Sequence, residues 1–357
     1  MAWTVDDSSA HFQVATYTGT SGNDSIVFDG NSNLKPDLLW AKNLESTYQH
    51  QIHDSSRGPT NGSFFTSSSA AEGSAAIDSF DTDGWTGDSG NAYIQTDGED
   101  HVCYGWKAGV GSRTTFTESG ANPGGGYQVN TTTKFSIVDY TGTGSAGTIS
   151  HGLGVKPEFI LVKNRDAAED WCVYHQLNTA DAASTTATET DFLQLNTTAA
   201  TADATVWNDT APTTSVFSVG TDADVNSDGV AYMAYCWTGV QGFSQFGIYM
   251  GNGNASGPFL WTGFTPAFIL VKEYDATGAW GLWDHKRGTD NSSGNVLSAN
   301  TTAVPATGTS EAMDILSNGF KLRNTDGDWN GNGDFYIYAA FAANPVVTSD
   351  GVPATAK

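Results

Sequence analysis

Three nearly identical phrases recur along the chain, and they constrain its fold more than any other feature. They read PDLLWAKN from Pro36, PEFILVKN from Pro157 and PAFILVKE from Pro266. The residue six positions after each proline is a lysine: Lys42, Lys163 and Lys272. A phrase written three times predicts an internal repeat in which each copy belongs to one structural unit.

The phrase is one anchor in a longer repeated pattern. A tyrosine and a glycine turn precede each copy, at 16–22, 139–145 and 249–254. Aromatic closing phrases follow, ending at Trp106, Trp237 and Phe341. The pattern predicts unit one at 1–108, unit two at 134–241 and unit three at 242–343, each of about 100 residues, a size that suits one small sandwich domain.

Two segments lie outside the units. We interpret 109–133, rich in glycine and polar residues, as a flexible linker or long surface loop, and 344–357 as a C-terminal tail. Units two and three abut, so a rigid pair with a hinged first unit is expected.

Side chains in the phrase alternate as they do in a β-strand. Phe159, Leu161 and Lys163 point one way, and Ile160 and Val162 point the other. Both faces are apolar until the lysine, which indicates a strand buried on both sides whose lysine marks its exit to water. Short β-branched and aromatic runs between Gly, Asn, Asp and Ser clusters fill the remaining chain, so the expected fold is all-β. Only EAMDIL at 311–316 favours one or two helical turns.

Aromatic residues that recur in register are expected in the core. This set comprises Trp171 and Trp280, fourteen residues after their prolines; the closing aromatics Trp106, Trp237 and Phe341; and the aligned Trp85, Phe217 and Phe320. The unaligned tryptophans are Trp207, in ATVWNDTAPT, and Trp329, in TDGDWNGNGD. An exposed indole on such a polar loop could stack on a sugar ring, and local packing is the alternative.

Two loops carry oxygen-bearing side chains at alternating positions. They contribute Asp222, Asp224, Asn226 and Asp228, and Asp326, Asp328, Asn330 and Asp334. Alternating oxygen ligands are typical of calcium loops, but Met233 and Ile337 stand where an EF-hand needs its glutamate, so an EF-hand is excluded. The alternatives are a looser calcium site, with calcium as the one cofactor to consider, and an ordinary Asx-rich turn.

A carboxylate and an arginine recur three residues apart in two of the units. These are Asp54 with Arg57 and Asp284 with Arg287, and unit two has His175 and Asn178 instead. Such pairs usually pin a turn or a strand end, and the loss of both charges in one copy favours a structural role over a catalytic one.

Composition and motifs exclude several functional classes. The 39 acidic and 15 basic residues give a formal charge of −24, which repels nucleic acid and anionic membranes. No signal peptide or membrane-spanning run is indicated. The cysteines are Cys103, Cys172 and Cys236, which lack zinc or disulfide spacing and are expected as buried free thiols. Hydrolase and nucleotide-binding motifs are absent, so we expect a protein that is not an enzyme.

Three long stretches resemble a known group of proteins. They are MAWTVDDSSAHFQVATYTGT, GTGSAGTISHGLGVKPEFILVKNRDA and LNTTAATADATVWNDTAPTTSVFSVGTDADVNSDGVAYMAYCW. They are similar to repeat domains, lectin-like or tail-fibre-like, in virion structural proteins of marine tailed bacteriophages. The resemblance implies concanavalin-like or jelly-roll-like antiparallel β-sandwiches, three in tandem here, and a place on the virion. It implies no specific biochemical activity, and unit one departs from the pattern around 86–100.

The leading hypothesis is therefore a virion structural protein that serves as a fibre, tail accessory or head decoration and is exposed to the exterior. Its partners would be other capsid or tail proteins and further copies of itself. A lectin-type module that binds host surface glycan is the alternative, and a glycan-cleaving enzyme is a weaker one. Location in the head or the tail, copy number and receptor are not encoded in any motif.

Overall fold

The fold was analysed in a computed structural model that describes residues 5–109, 113–178, 191–288, 291–345 and 353. Most of the predicted tail, 346–352 and 354–357, lies outside the described residues. The described chain is all-β, as predicted, and its sheets are antiparallel. Its helices are single turns, namely the 3₁₀ turns Ser8–Ala10 and Thr205–Trp207 and α1 Ala92–Gln95, α2 Ala223–Asn226 and α3 Gly327–Asn330.

Each unit consists of one main sheet and one small sheet. The strands of unit one are β1 Phe12–Thr18, β2 Ser25–Ile26, β3 Leu38–Asn43, β4 Gln51–Asp54, β5 Phe64–Phe65, β6 Ile77–Phe80, β7 Trp85–Gly87 and β8 Asp100–Trp106. The next group is β9 Thr114–Phe116, β10 Gly124–Asn130, β11 Phe135–Thr141, β12 Gly147–Ser150, β13 Phe159–Asn164, β14 Cys172–His175, β15 Asp191–Gln194, β16 Ala202–Asp203, β17 Val216–Val219 and β18 Ala231–Trp237. Unit three contains β19 Ser244–Met250, β20 Phe259–Trp261, β21 Phe264–Glu273, β22 Trp280–Asp284, β23 Asn295–Ser298, β24 Ala306–Thr307, β25 Met313–Leu316, β26 Gly319–Leu322 and β27 Phe335–Pro345.

The sheet order repeats from unit to unit. The main sheets are ordered β1-β8-β3-β4-β5, β16-β15-β14-β13-β18-β11-β10-β9 and β19-β27-β21-β22-β23-β24. The small sheets are β2-β7-β6, β12-β17 and β20-β26-β25. The repeated phrase forms an inner strand every time, as β3, β13 and β21, between the closing strand and the strand that follows the phrase. The prediction of a strand buried on both faces is confirmed, because every residue of these three strands is buried.

The prediction of a flexible linker or long surface loop at 109–133 is wrong for most of the described part of this segment. Residues 114–116 and 124–130 form β9 and β10, which extend the main sheet of unit two beyond β11. The glycines that suggested flexibility are needed for close packing, since a Cβ on Gly125 would lie 2.0 Å from the backbone oxygen of Asp139. The segment from 311 to 316 also differs from its prediction, because Met313–Leu316 forms the strand β25 rather than a helical turn.

The three main sheets meet at one shared core. The closing aromatics Trp106, Trp237 and Phe341 contact one another, with ring centroids 5.5 to 6.5 Å apart. Units one and two each have a second, outer core between the main sheet and the small sheet. The aromatics predicted to be buried by their register are buried, including Trp85, Phe217 and Phe320. Because one apolar core joins residues of all three units, the expectation of a hinged first unit is wrong.

Indole groups reinforce the contacts between neighbouring units. Trp171 of unit two donates its Nε1–H to the backbone oxygen of Phe65 in unit one, 2.9 Å away. Trp280 of unit three donates in the same way to Gln194 of unit two, also at 2.9 Å. Within the part of the chain that the structure describes, no helix has the length and apolar character needed to cross a membrane.

Candidate functional site

The predicted pair Asp54 and Arg57 forms a buried ion pair at the junction of units one and two. Arg57 Nε lies 2.5 Å from Asp54 Oδ2, and the Arg57 backbone N–H donates to Asp54 Oδ1 at 2.9 Å. The hydroxyl of Tyr235, from unit two, donates to Asp54 Oδ2 at 2.8 Å. The carboxylate therefore ties its own turn to the neighbouring unit.

The same arrangement occurs at the junction of units one and three. Arg287 Nε lies 2.5 Å from Asp284 Oδ2, and Tyr104 of unit one donates its hydroxyl to that oxygen at 2.8 Å. Burial alone would raise the pKa of Asp284, but Arg287 holds it below its ordinary value. Burial, together with the adjacent carboxylate, raises the pKa of Tyr104 well above its ordinary value, so the phenol keeps its proton and donates.

The junction of units two and three has a different set of residues. His175 occupies the carboxylate position and Asn178 the arginine position, while Ala339 stands where the other units supply a tyrosine. His175 is fully buried, and burial lowers its pKa to about 3, so its imidazole is neutral. Asn178 Oδ1 accepts a hydrogen bond from Thr201 Oγ1 at 2.6 Å. All three positions change together, as expected for structural contacts.

The lysines of the repeated phrase are buried, so their predicted exit to water is wrong. The ammonium of Lys163 donates to the backbone oxygens of Glu169, at 2.8 Å, and of Ser69 in unit one, at 3.0 Å. Lys272 donates to its neighbour Glu273 at 2.5 Å. Burial lowers the pKa of Lys42, Lys163 and Lys272 to about 8 in each case. The strand ends are covered by loops, and backbone carbonyls replace water around each ammonium.

Both tryptophans predicted as sugar platforms are buried, so the expectation of exposed indoles is wrong. Trp207 ends a 3₁₀ turn and packs edge-on against Tyr174, with ring centroids 5.9 Å apart. Trp329 lies in α3 and packs edge-on against Trp283 at 5.1 Å. Their exposed fractions are 2% and 4%. The polar neighbours that suggested exposure form the turns, while the indoles point inward.

The two predicted calcium loops form matching single-turn helices. Asp222 caps α2 by accepting from the Asp224 backbone N–H at 2.8 Å, and Asp326 caps α3 by accepting from Asp328 at 2.9 Å. The remaining loop carboxylates, Asp228 and Asp334, follow the two turns.

The asparagines of these loops bind backbone groups and are buried. Asn226 accepts from the Thr143 backbone N–H at 2.9 Å and donates to the Gly220 oxygen at 2.7 Å. Asn330 accepts from Asn252 in the same way, at 2.9 Å. Each helix is thereby fastened to the glycine turn that opens its unit.

Calcium stays a prediction for these loops. No group of three or more His, Cys, Asp or Glu side chains among the described residues is arranged to hold a metal ion. Burial, followed by repulsion from Asp222, raises the pKa of Asp224 to about 6. If calcium binds, chelation should lower the melting temperature and added calcium should restore it, because a ligand that binds only the folded state stabilises it. An unchanged melting curve would assign the loops to ordinary turns.

The predicted free thiols are buried, and burial raises the pKa of Cys103 to about 12. A thiol with so little thiolate character is a poor nucleophile near neutral pH.

One exposed aromatic pair was not identified by sequence reasoning. Phe259 and Trp261, on β20, are 44% and 54% exposed, while Leu260 between them faces inward. Trp261 is the one exposed tryptophan of the described residues. The corresponding positions are Ser25 and Val27 in unit one and Thr148 and Ser150 in unit two. The available signal was the absence of aromatic counterparts at these positions in the other units, a signal that the buried Trp207 and Trp329 share.

Comparison with known proteins places the chain in a family. No curated protein and no solved structure matches it. One family model, described as a domain of unknown function (DUF7483), matches residues 7–345 and so spans all three units. The chain belongs to the DUF7483 family.

Proposed function

We propose that this chain is a structural protein of a tailed-phage virion, exposed on the particle as a fibre, tail accessory or head decoration. The resemblance of its repeats to phage virion domains supports this role. The observation that carries the proposal is the shared core, reinforced by buried ion pairs at both junctions of unit one. A body whose three units cannot swing independently suits a part that must keep its shape on a particle.

The finer architecture is part of the same proposal. Each main sheet is accompanied by a small sheet, and in units one and two a separate apolar core lies between the two sheets. We interpret each unit as one concanavalin-like or jelly-roll-like sandwich, with three in tandem. In this interpretation the inner faces of the three main sheets pack together within the one chain, and the small sheets face outward.

The proposed role is not enzymatic. The most buried carboxylates, Asp54 and Asp284, are held by arginine, and Asp222 and Asp326 cap helices. These contacts give a structural role to four of the acidic residues that the sequence singled out. The proposed partners are other capsid or tail proteins and further copies of the chain.

Quantitative mass spectrometry of purified particles tests the proposal. The chain should copurify with infectious particles at a fixed copy number, and an antibody against it should label intact particles. A chain recovered only from infected-cell lysate would overturn the virion assignment. Release of reducing ends from a surface polysaccharide by the pure protein would overturn the non-enzymatic part.

A further inference from the structure

We propose that Phe259 and Trp261 form a glycan-binding platform on the outer face of unit three, which takes the apolar face of pyranose rings. The proposal rests on the proposed function for its biological setting, because a protein exposed on the particle can contact glycans of a host surface. The two side chains lie on the same face of β20, two residues and therefore about 6.6 Å apart along the strand. Aromatic rings presented this way offer flat apolar surface to a ligand that is itself part apolar and part polar.

The indole of Trp261 is supported from below. A Cβ on Gly263 would lie 2.9 Å from Cη2 of Trp261, so the ring rests directly over a glycine. Gly319, which is the strand partner of Trp261, also has no side chain to cover the ring. The absence of side chains at both positions lets the indole lie low over the sheet, where 54% of the residue stays exposed.

Hydrogen-bonding groups lie beside the aromatic pair on the same face. Lys321 pairs with Phe259 across the sheet, with one of its ammonium protons donated to the backbone oxygen of Gly257 at 2.7 Å, and Asp314 pairs with Lys321 on the next strand. Arg323 extends this polar row and lies 2.7 Å from Asp314. Charged donors and acceptors next to exposed rings match a sugar, whose hydroxyl groups surround an apolar ring face.

A sugar fits this surface better than a protein does. Trp and Phe side chains carry about 150–250 Å² each, so the pair exposes roughly 200 Å² of aromatic surface. A stable protein interface needs about 800 Å² from each partner. A second copy of the chain would also bring its own formal charge of −24. Small area and like charge both disfavour self-association through this face.

The platform is confined to unit three. Val27 occupies the Trp261 position in unit one and Ser150 occupies it in unit two. Val27 is 58% exposed, so it provides an exposed apolar side chain in the same structural position without an aromatic ring. This pair of positions supplies a matched control.

Binding of the full-length chain to immobilised polysaccharides tests the proposal. The probes are insoluble cellulose, chitin and agarose beads and an array of printed hexopyranosides, with the chain multimerised so that weak contacts gain avidity. Trp261→Ala and Phe259→Ala should each weaken binding by about tenfold or more, as for removal of an anchor aromatic. Val27→Ala should bind like the wild type. All three variants should keep the wild-type melting temperature because the side chains are exposed.

Several results would overturn the platform. These are absence of binding to every probe, wild-type binding that survives both aromatic substitutions, and concentration-dependent dimerisation that Trp261→Ala abolishes. The last result would assign the face to a second copy. Each outcome is read on the purified chain, so it is independent of whether mass spectrometry finds the chain in particles.

Discussion

The two junctions of unit one and the junction of units two and three join equivalent strands by different chemistry. At the first two, a tyrosine from one unit donates to a carboxylate that is paired with arginine in the next. At the third, a neutral buried histidine, His175, lies beside the backbone of Tyr338, and Ala339 stands where the other units supply the tyrosine. The comparison shows that the polar tie is one of two ways to close the same interface.

Each junction has one large aromatic side chain in the same cross-strand pair, although the hydrogen bond is present at only two of the three junctions. Tyr104 has Val14 as its cross-strand partner in unit one, and Tyr235 has Ile137 in unit two. In unit three the pair is Ala339 and Phe246. The larger side chain has therefore moved to the other strand. Phe246 stacks on Phe159 of unit two, with ring centroids 5.5 Å apart, so an aromatic contact replaces the hydrogen bond and the shared core stays filled.

Removal of unit one should have the largest effect. A fragment of residues 113–345, which keeps β9 and β10 with unit two, would expose the faces of units two and three that pack against Trp106, and it would leave Tyr235 without Asp54. We expect this fragment to be molten or aggregated, contrary to the separate folding that three sequence repeats suggest. Near-UV circular dichroism and urea unfolding of the fragment, beside the full chain, measure this. A soluble fragment with one cooperative transition and native near-UV signal would contradict the shared-core account.

Sequence reasoning identified the inner strand of each unit but not how the units associate. A phrase that is apolar on both faces predicts an inner strand, and β3, β13 and β21 are inner strands. The same pattern fits a separate sandwich and a shared core equally well, because the apolar pattern shows that a strand face is buried but not which residues pack against it. Those residues are far away in the chain, as when Phe12 of unit one packs on Phe268 of unit three.

The errors at particular residues share a physical cause. A lysine at a strand end usually extends to water, but Lys163 is covered by the loop at Ser69, some 94 positions away. Glycines at 124–126 suggest a linker, yet Gly125 allows its strand to approach β11 closely. Polar turns around Trp207 suggest exposure, although the turn directs the indole inward. Each outcome depends on a long-range contact that local composition does not encode.

Breaking one polar tie should produce the largest effect of any single substitution. Asp284→Asn leaves Arg287 buried without its counter-ion, and we expect a loss of about 3–5 kcal/mol in the free energy of unfolding. The equivalent change at the other junction, His175→Gln, exchanges one neutral group for another and should cost less than about 1.5 kcal/mol. Urea midpoints at constant m-value measure both. Equal losses for the two variants would show that the charges do not distinguish the junctions.

Removal of the buried Lys163 side chain at the junction of units one and two should lower stability, contrary to the interpretation of this lysine as a solvated strand end. Lys163→Ala leaves the backbone oxygens of Ser69 and Glu169 without a donor, and we expect a loss of about 1–3 kcal/mol. The exposed Lys35, also changed to alanine, is the matched control and should stay within about 0.5 kcal/mol of the wild type. Thermal unfolding of both variants decides the point, and equal melting temperatures would restore the solvated interpretation.

Mild acid should weaken the histidine junction before the junction that Asp284 closes. The pKa of His175 is lowered from 6.5 to about 3 by burial, so between those values the unfolded chain binds a proton there that the folded chain does not. Its contribution to stability is therefore complete above pH 6.5 and falls as the pH drops, by up to about 1.4 kcal/mol per pH unit. Asp284, whose pKa is lowered, keeps its contribution to stability at pH values above the ordinary pKa of an aspartate and loses it only at lower pH.

Burial also lowers the pKa values of His53 and His151, so the dependence of wild-type stability on pH contains several such contributions. His175→Gln should reduce the slope of unfolding free energy against pH between 6 and 4 by about one proton, with the other histidines still present as an internal reference. A slope unchanged by this substitution would mean that His175 is not held neutral by the fold, and the contrast between the two kinds of junction would then lie in packing alone.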